Sequence, residues 1–143
     1  MSARETVTDL GFKSVNVLHR AVMRLGIGKK GYGMPVVELH TTGRKSGLDR
    51  TSVLTSPLQY DGTWIVIASK GGNDRNPEWY LNLVANPDVE IHVDGKVHKL
   101  RARTATPEEK AELWPKILVA YKGYGNYQKR TTRDIPVVIC EPA

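Results

Sequence analysis

The sequence predicts a mainly β domain in which a mostly antiparallel sheet curls into a small barrel with flanking helices. Two Asp-Gly pairs, Asp61-Gly62 and Asp94-Gly95, each stand between β-rich runs. Such pairs are typical of two-residue hairpin turns, because both central residues of the turn need positive φ. The apolar runs PVVELHT and IPVVICE bring the prediction to about six strands and three helices. The predominance of hairpins favours antiparallel pairing and a barrel.

The first 33 residues predict an N-terminal helix that is separate from the barrel. Apolar residues recur at helical spacing through residues 8–25, with basic residues among them. The glycine-rich stretch GIGKKGYGMP, at 26–35, then indicates a flexible connector. We therefore expect residues 1–33 to form an amphipathic helix and connector, and residues 34–143 to form the compact domain.

Two further helices are predicted between and after the hairpins. In NPEWYLNLVANP, Asn76 is expected to cap a helix whose first position is Pro77, and Asn86-Pro87 is expected to end it. In TPEEKAELWPKILVAY, Thr106 and Glu109 have capping-box spacing, and Pro115 is expected to kink the helix. Pro57 is expected at an edge or a bulge of its strand.

Composition limits the cell compartment and the class of partner. A formal net charge of +6 favours anionic partners such as nucleic acid, an anionic membrane surface or a phosphorylated or carboxylated small molecule. The single cysteine, Cys140, excludes an internal disulfide and fits a reducing cytoplasm. No segment is expected to span a membrane or to direct export. The basic helix at 8–30 either packs on the barrel or contacts the inner face of the membrane.

The chain shows no pattern that predicts a catalytic centre built from protein groups alone. Around the Asp94-Gly95 turn, His92 faces Val97 and His98 faces Ile91, so these two histidines lie on opposite faces and no metal site is predicted. Cys140 is expected to be a small buried hydrophobe. If the protein is an enzyme, a cofactor carries the reaction.

Three segments combine glycine with charged or aromatic residues. GRKSGLDR, at 43–50, either binds an anion or forms an ordinary basic hairpin loop. ASKGGNDRNPEWY, at 68–80, places a strand end, a Gly-Gly turn and a helix start in succession. YKGYGNYQKRTTR, at 121–133, holds three tyrosines that either line one helix face or cover a planar ring.

Together, three longer runs resemble the deazaflavin-dependent nitroreductase family of actinobacteria. They are TTGRKSGLDR, ASKGGNDRNPEWYLNLVANPDVEI and LWPKILVAYKGYGNYQKRTTRDIPVVICEP. The resemblance implies a split β-barrel similar to that of flavin-binding pyridoxamine-oxidase-like proteins. It also implies an F420H2-dependent oxidoreductase that uses coenzyme F420, an 8-hydroxy-5-deazaflavin with a phosphate and an oligoglutamate tail. Such enzymes pass hydride to small acceptors such as quinones, nitroimidazoles and coumarin-like lactones.

The resemblance also assigns roles to residues. The tail is expected on Arg44, Lys45, Ser46 and Arg50. Further cofactor contacts are expected from Thr51, Ser52, Val53, Leu54, Thr55, Ile67, Ala68, Ser69, Lys70, Glu78, Trp79, Tyr80, Leu81 and Asn82. Ser69 and Tyr124 are the expected catalytic residues, Tyr124 also contacts the cofactor, and Tyr121 and Tyr127 lie on the substrate side.

The sequence departs from the family pattern at two positions. Asp49 stands where proline is frequent, and its charge is expected to weaken tail binding slightly. Thr55 stands near a position that is aromatic in some relatives, so the acceptor pocket is expected to differ. Two other functions stay open at this point: a flavin or haem carrier without turnover, and a nucleic-acid module that stacks bases on the tyrosines.

Overall fold

The computed structural model describes residues 30–31 and 33–143 of the chain. The strands in this part are β1 (Lys30–Gly31), β2 (Met34–Thr42), β3 (Asp49–Thr55), β4 (Leu58–Tyr60), β5 (Thr63–Ile67), β6 (Asp88–Val93), β7 (Lys96–Thr104) and β8 (Val137–Pro142). The helices are α1 (Glu78–Ala85), α2 (Pro107–Ala120) and α3 (Gly123–Lys129), and a 3-10 turn spans Lys70–Gly72. The predicted helix at 8–25, with its possible membrane contact, lies outside the described residues.

All the described strands belong to one antiparallel sheet that is split between β3 and β4. The order is β1-β2-β6-β7-β8-β5-β4, and β3 pairs with β2 beside this path. The strand that was expected to contain Pro57 is therefore divided: residues up to Thr55 pair with β2, and residues from Leu58 onward pair with β5. Ser56 makes the crossing, because its N–H donates to Pro35 O while its hydroxyl donates to Ile65 O at 2.6 Å. Pro57, which has no N–H to donate, lies at the break. With this split and the short β1, the described residues hold eight strands rather than about six.

Both predicted Asp-Gly hairpins are confirmed. Asp61 and Gly62 have φ of 50° and 77°, and Asp94 and Gly95 have φ of 51° and 74°. The first turn joins Tyr60 to its partner Thr63. These positive φ values match the right-handed twist of the strands that each turn connects.

Helices α1 and α2 form where the sequence predicts them, with a different start for α1. The capping box of α2 is confirmed, since Thr106 and Glu109 each accept a hydrogen bond from the backbone N–H of the other. The expected cap of α1 is wrong: Pro77 is the N-cap residue and has no side-chain bond to offer, while Asn76 accepts from Arg133. Helix α2 continues through Pro115 to Ala120. None of the described helices is long and apolar enough to cross a membrane.

The core consists of two apolar clusters on opposite sides of the central strands. Trp79 and Leu83 of α1 pack in one cluster, and Leu113 and Ile117 of α2 pack in the other. Strands β5 and β8 contribute alternate residues to both clusters, which explains why IPVVICE is continuously apolar rather than alternating. Cys140 is fully buried, as expected, and burial raises the pKa of its thiol to about 12.

Candidate functional site

The basic segment forms a hairpin loop, residues 43–48, between β2 and β3. Gly43 N–H donates to Leu48 O and Gly47 N–H donates to Gly43 O, each at 2.8 Å, so the loop closes on itself. Lys45 and Ser46 are exposed, and Arg50, the second residue of β3, is half-buried. We call residues 43–50 the basic loop.

Arg44 ties the basic loop to α1. Its backbone N–H and its Nη1 both donate to Oδ1 of the buried Asn82, at 3.1 and 2.8 Å. Its Nη2 lies 2.7 Å from Oε2 of Glu78. The guanidinium therefore holds together two segments that are 34 to 38 residues apart in the chain.

Strand β3 runs from the basic loop to the tyrosines. The side chains of Thr51 to Thr55 are all half-buried, and Leu54 packs against the first core cluster. At the strand's end, Oγ1 of Thr55 and the hydroxyl of Tyr124 are hydrogen-bonded at 3.1 Å. A strand rises about 3.3 Å per residue, so roughly 17 Å separates Arg50 from Thr55.

The three tyrosines of the third segment form one cluster. Tyr121 ends α2, whereas Tyr124 and Tyr127 lie on α3, so helix and loop both contribute. The ring centroids of Tyr121 and Tyr124 are 5.1 Å apart in an edge-to-face arrangement, and the hydroxyls of Tyr121 and Tyr127 are 3.2 Å apart. Tyr124 is buried and the other two are half-buried. Burial raises the pKa of Tyr124, although its bond to Thr55 acts in the opposite direction.

The second segment bends sharply after β5. Ile67, Ala68 and Ser69 are buried, so their expected approach to a ring would involve the backbone. Lys70 has a φ of 45° and is followed by Gly71 and Gly72, both also at positive φ. A left-handed lysine is uncommon and stores backbone strain, which is found more often at functional sites than elsewhere.

Arg133 holds the second segment in place, and no sequence pattern singled it out. Its Nη2 donates to the carbonyls of Ala68 and Ser69, at 3.1 and 2.9 Å. Its Nε donates to Asn73 O at 2.8 Å and its Nη1 to Asn76 Oδ1 at 2.9 Å. The segment QKRTTR holds several cations, and only the fold selects the one whose planar fork fits these acceptors.

The third segment contacts the second directly. Arg130 Nη1 donates to Gly71 O at 3.2 Å, and the hydroxyl of Thr131 donates to Asp74 at 2.7 Å. A Cβ on Gly72 would lie 2.6 Å from Tyr127 O, so the backbone of the turn is in direct contact with the backbone of α3. The structure thus links the three predicted segments: the first with α1, and the second and third with each other.

The remaining residues of α1 that were predicted as cofactor contacts have different surroundings. Trp79 is buried in the core, and Tyr80 is half-buried with its hydroxyl 2.8 Å from Thr104 Oγ1. Glu78 is exposed, Leu81 is half-buried, and Asn82 is engaged by Arg44.

A histidine pair that the sequence reasoning missed lies on the outer face of β2 and β6. His92 pairs with Val97 and His98 with Ile91, so the expected separation of those two histidines is confirmed. The imidazole of His40, however, stacks on that of His92 with 3.8 Å between ring centroids. The spacing of Glu38 and His40, two residues apart on a strand, was a signal that both lie on one face.

The fold and the linked segments define a class of protein, the split β-barrels that resemble flavin-binding oxidases. A protein of the pyridoxinephosphate oxidase family from Clostridium acetobutylicum has this fold, with a TM-score of 0.51 at 11% identity over 75% of this chain and 74% of its own. A solved F420-H2 dependent reductase superposes with a TM-score of 0.68 at 40% identity, covering 75% of this chain and 94% of its own. A domain-swapped dimer superposes with a TM-score of 0.70 at 33% identity, covering 98% and 100% of the two chains.

Sequence comparison then gives the family. The model of F420H(2)-dependent quinone reductase matches residues 14–142. An F420H(2)-dependent quinone reductase of Mycobacterium tuberculosis strain H37Rv is 42% identical over 129 residues, which are 85% of this chain and 86% of that protein. The chain belongs to the F420H2-dependent quinone reductase family. The expectations of a split barrel, an F420H2-dependent oxidoreductase and coenzyme F420 are thereby confirmed at the level of the family.

Proposed function

We propose that the chain binds coenzyme F420 along β3 and reduces a quinone-type small molecule beside the tyrosine cluster. One observation carries the proposal: β3 joins two ends of different chemistry. Its first residues follow the cations of the basic loop, and its last residue bonds to Tyr124. An anionic tail and an aromatic ring on one cofactor match these two ends.

The donor set of the basic loop fits a phosphate and carboxylates. Lys45 is an exposed point charge, Arg50 offers a planar fork, and the hydroxyl of Ser46 lies 3.4 Å from Arg50 Nη2. Arg44 plays a different part in this proposal, because its guanidinium fixes the loop on α1. We therefore assign tail binding to Lys45, Arg50 and Ser46, with Arg44 as the residue that positions them.

At the other end, the backbone of Ala68 to Lys70 is proposed to line the ring. Arg133 fixes the carbonyls of Ala68 and Ser69, so the backbone there is already in place before a ligand binds. Preorganised polar groups need little rearrangement during a reaction.

When bound in its reduced form, the deazaflavin supplies the hydride. The chain's own part is to hold the acceptor and to provide a proton. The raised pKa of Tyr124 keeps its hydroxyl protonated at neutral pH, so this oxygen can donate a hydrogen bond or a proton. Ser69, which is buried at the turn, is the second proposed donor. Tyr121 and Tyr127 present half-buried ring faces and edges to a planar acceptor.

A quinone is the favoured acceptor because the family and the related protein of Mycobacterium tuberculosis are both named for quinone reduction. A nitroaromatic compound or a conjugated lactone, which are also planar and electron-poor, would use the same surface. Steady-state rates with a short-chain quinone, a nitroimidazole and a coumarin would rank the three classes of acceptor.

The deciding experiment is a fluorescence titration of the protein with oxidised F420, FMN and FAD. We expect selective binding of F420, with affinity that falls as salt is added. A preference for FMN, or no binding of F420, would overturn the proposed cofactor site and would favour a flavin carrier.

The tail assignment is tested with the double variant Lys45→Ala/Arg50→Ala. Charge-assisted hydrogen bonds contribute about 1.5–3 kcal/mol each, less where exposed, so we expect Kd for F420 to rise about 10- to 100-fold at low salt. The matched control is Lys96→Ala/Lys116→Ala, which removes two exposed cations outside the proposed site. An equal change in both variants would show that net charge, rather than the basic loop, attracts the cofactor.

A further inference from the structure

The outer face of β2 and β6 carries an alternating set of histidine and glutamate. Across these strands Glu38 pairs with His92, and His40 pairs with Glu90. Since side chains alternate along a strand, all four project from the same face of the sheet. None of these four residues is a proposed tail or ring contact, but the cluster adjoins β3, since Oγ1 of Thr51 lies 3.4 Å from Nδ1 of His40.

Three of these side chains bring possible ligand atoms together. One ligand atom each from Glu38, His40 and His92 lies within 4.8 Å of the other two. Nε2 of His40 is 3.3 Å from Oε1 of Glu38, and the two side chains are each only 14% exposed. Two ligands of a tetrahedral metal at about 2.0–2.1 Å are themselves separated by roughly 3.3 Å, so this pair already has the required spacing.

Both imidazoles are also held by a carboxylate outside the group of three. Nδ1 of His40 is 3.1 Å from Oδ2 of Asp49, and Nε2 of His92 is 2.9 Å from Oε1 of Glu90. Histidine ligands in metal sites usually donate their second ring N–H to such a carboxylate, which fixes the tautomer. The carboxylates Glu38, Asp49 and Glu90 together favour a cation at this place.

We propose that Glu38, His40 and His92 bind a divalent transition-metal ion of the zinc, nickel or copper type, with water completing its coordination. Two imidazoles and one carboxylate suit these borderline ions and do not suit magnesium or calcium, which prefer oxygen ligands. The stacked rings, with 21° between their planes, must turn about the Cβ–Cγ bond so that both in-plane lone pairs point at one ion. The ion would then join β2 to β6 directly before the basic loop.

The test is calorimetric titration of the full chain with Zn2+ at pH 7.5, using two complementary variants. His19→Gln/His98→Gln retains only the two proposed histidine ligands, whereas His40→Gln/His92→Gln retains only the other two histidines. We expect the first to bind one Zn2+ per chain as the unmodified protein does. We expect the second variant to lose Zn2+ affinity. Replacing an outer carboxylate alone costs about 10- to 100-fold, and the loss of both imidazoles should exceed this. Equal affinity in both variants would overturn the site.

A second measurement needs no variant and so does not depend on folding of a mutant. In NMR spectra of the unmodified protein, substoichiometric Zn2+ should shift the ring signals of two histidines and leave two unchanged. Affinity should also fall as the pH is lowered, because protons compete with the metal ion for the imidazole nitrogens. No saturable binding, or a shift of all four histidines alike, would show that the cluster is an ion-pair network only.

Discussion

The basic loop and the turn at Ser69–Asn76 are both predicted to hold the same cofactor, but they depend on distant residues to different degrees. The basic loop closes through hydrogen bonds among its own residues, from Gly43 to Leu48. The turn at 69–76 has local bonds as well, from Gly72 N–H to Ser69 O and from Asn73 N–H to Lys70 O, but Arg133 and α3 also hold it from outside. Both segments can be recognised from a short sequence, but the distant residues that hold the second turn in place cannot. Four pairs of substitutions can break or sharpen this comparison.

The largest effect is expected from Arg133→Ala. The change leaves the carbonyls of Ala68, Ser69 and Asn73 without their guanidinium donor. An unsatisfied buried polar group costs about 1–3 kcal/mol, so the free energy of unfolding should fall by about 3 kcal/mol in urea denaturation. Arg133→Lys keeps the charge without the planar fork, so its free energy of unfolding should lie between those of Arg133→Ala and the unmodified protein. If Arg133→Ala denatures at the same urea concentration as the unmodified protein, the turn does not depend on Arg133.

The second expected effect distinguishes two neighbouring glycines. Gly71 and Gly72 both have positive φ, so alanine at either position should cost about 1 kcal/mol. Only at Gly72 would the new Cβ meet Tyr127 O, at 2.6 Å, and Arg130 Cβ, at 2.9 Å. Gly72→Ala should therefore destabilise the protein by a further 1–3 kcal/mol or so and weaken F420 binding. Thermal unfolding and F420 titration check this, and equal losses for the two variants would contradict close packing of the turn on α3.

A smaller effect is expected at the tie between the basic loop and α1. Arg44→Lys retains the charge but cannot bond to Asn82 and Glu78 together, so we expect a loss of about 1 kcal/mol. Glu78→Gln removes the exposed ion pair and leaves the bond to Asn82, so its cost should stay below about 0.5 kcal/mol. Urea denaturation of both variants checks this order, and a larger loss for Glu78→Gln would reverse the assignment.

The smallest effect depends on pH. Tyr124→Phe removes the bond to Thr55 and should cost about 0.5–1 kcal/mol at pH 7. Because burial raises the pKa of Tyr124, its contribution to stability is complete below the ordinary tyrosine pKa of about 10 and is lost as the pH rises above it. The difference between Tyr124→Phe and the unmodified protein should therefore shrink above pH 10. Thr55→Val removes the same bond but keeps the phenol, so its deficit should not shrink; unfolding curves between pH 7 and 11 compare the two.

The sequence by itself determined the local features of this protein. The Asp-Gly turns, the capping box of α2 and the general positions of α1 and α2 follow from short-range rules, since each depends on residues within one turn. The basic loop was readable for the same reason. The family was also accessible from sequence, because three motifs occur in one order along the chain.

Only the tertiary structure decided how these features meet. The break at Ser56–Pro57 depends on Ser56 bonding to both Pro35 and Ile65, which are far away in the chain. Arg133 could not be selected among its basic neighbours, because its acceptors lie about 60 residues earlier. The same holds for His40 and His92, which become neighbours only when β2 pairs with β6. Contacts between distant segments depend on strand pairing and packing, and these are properties of the whole fold rather than of any short stretch.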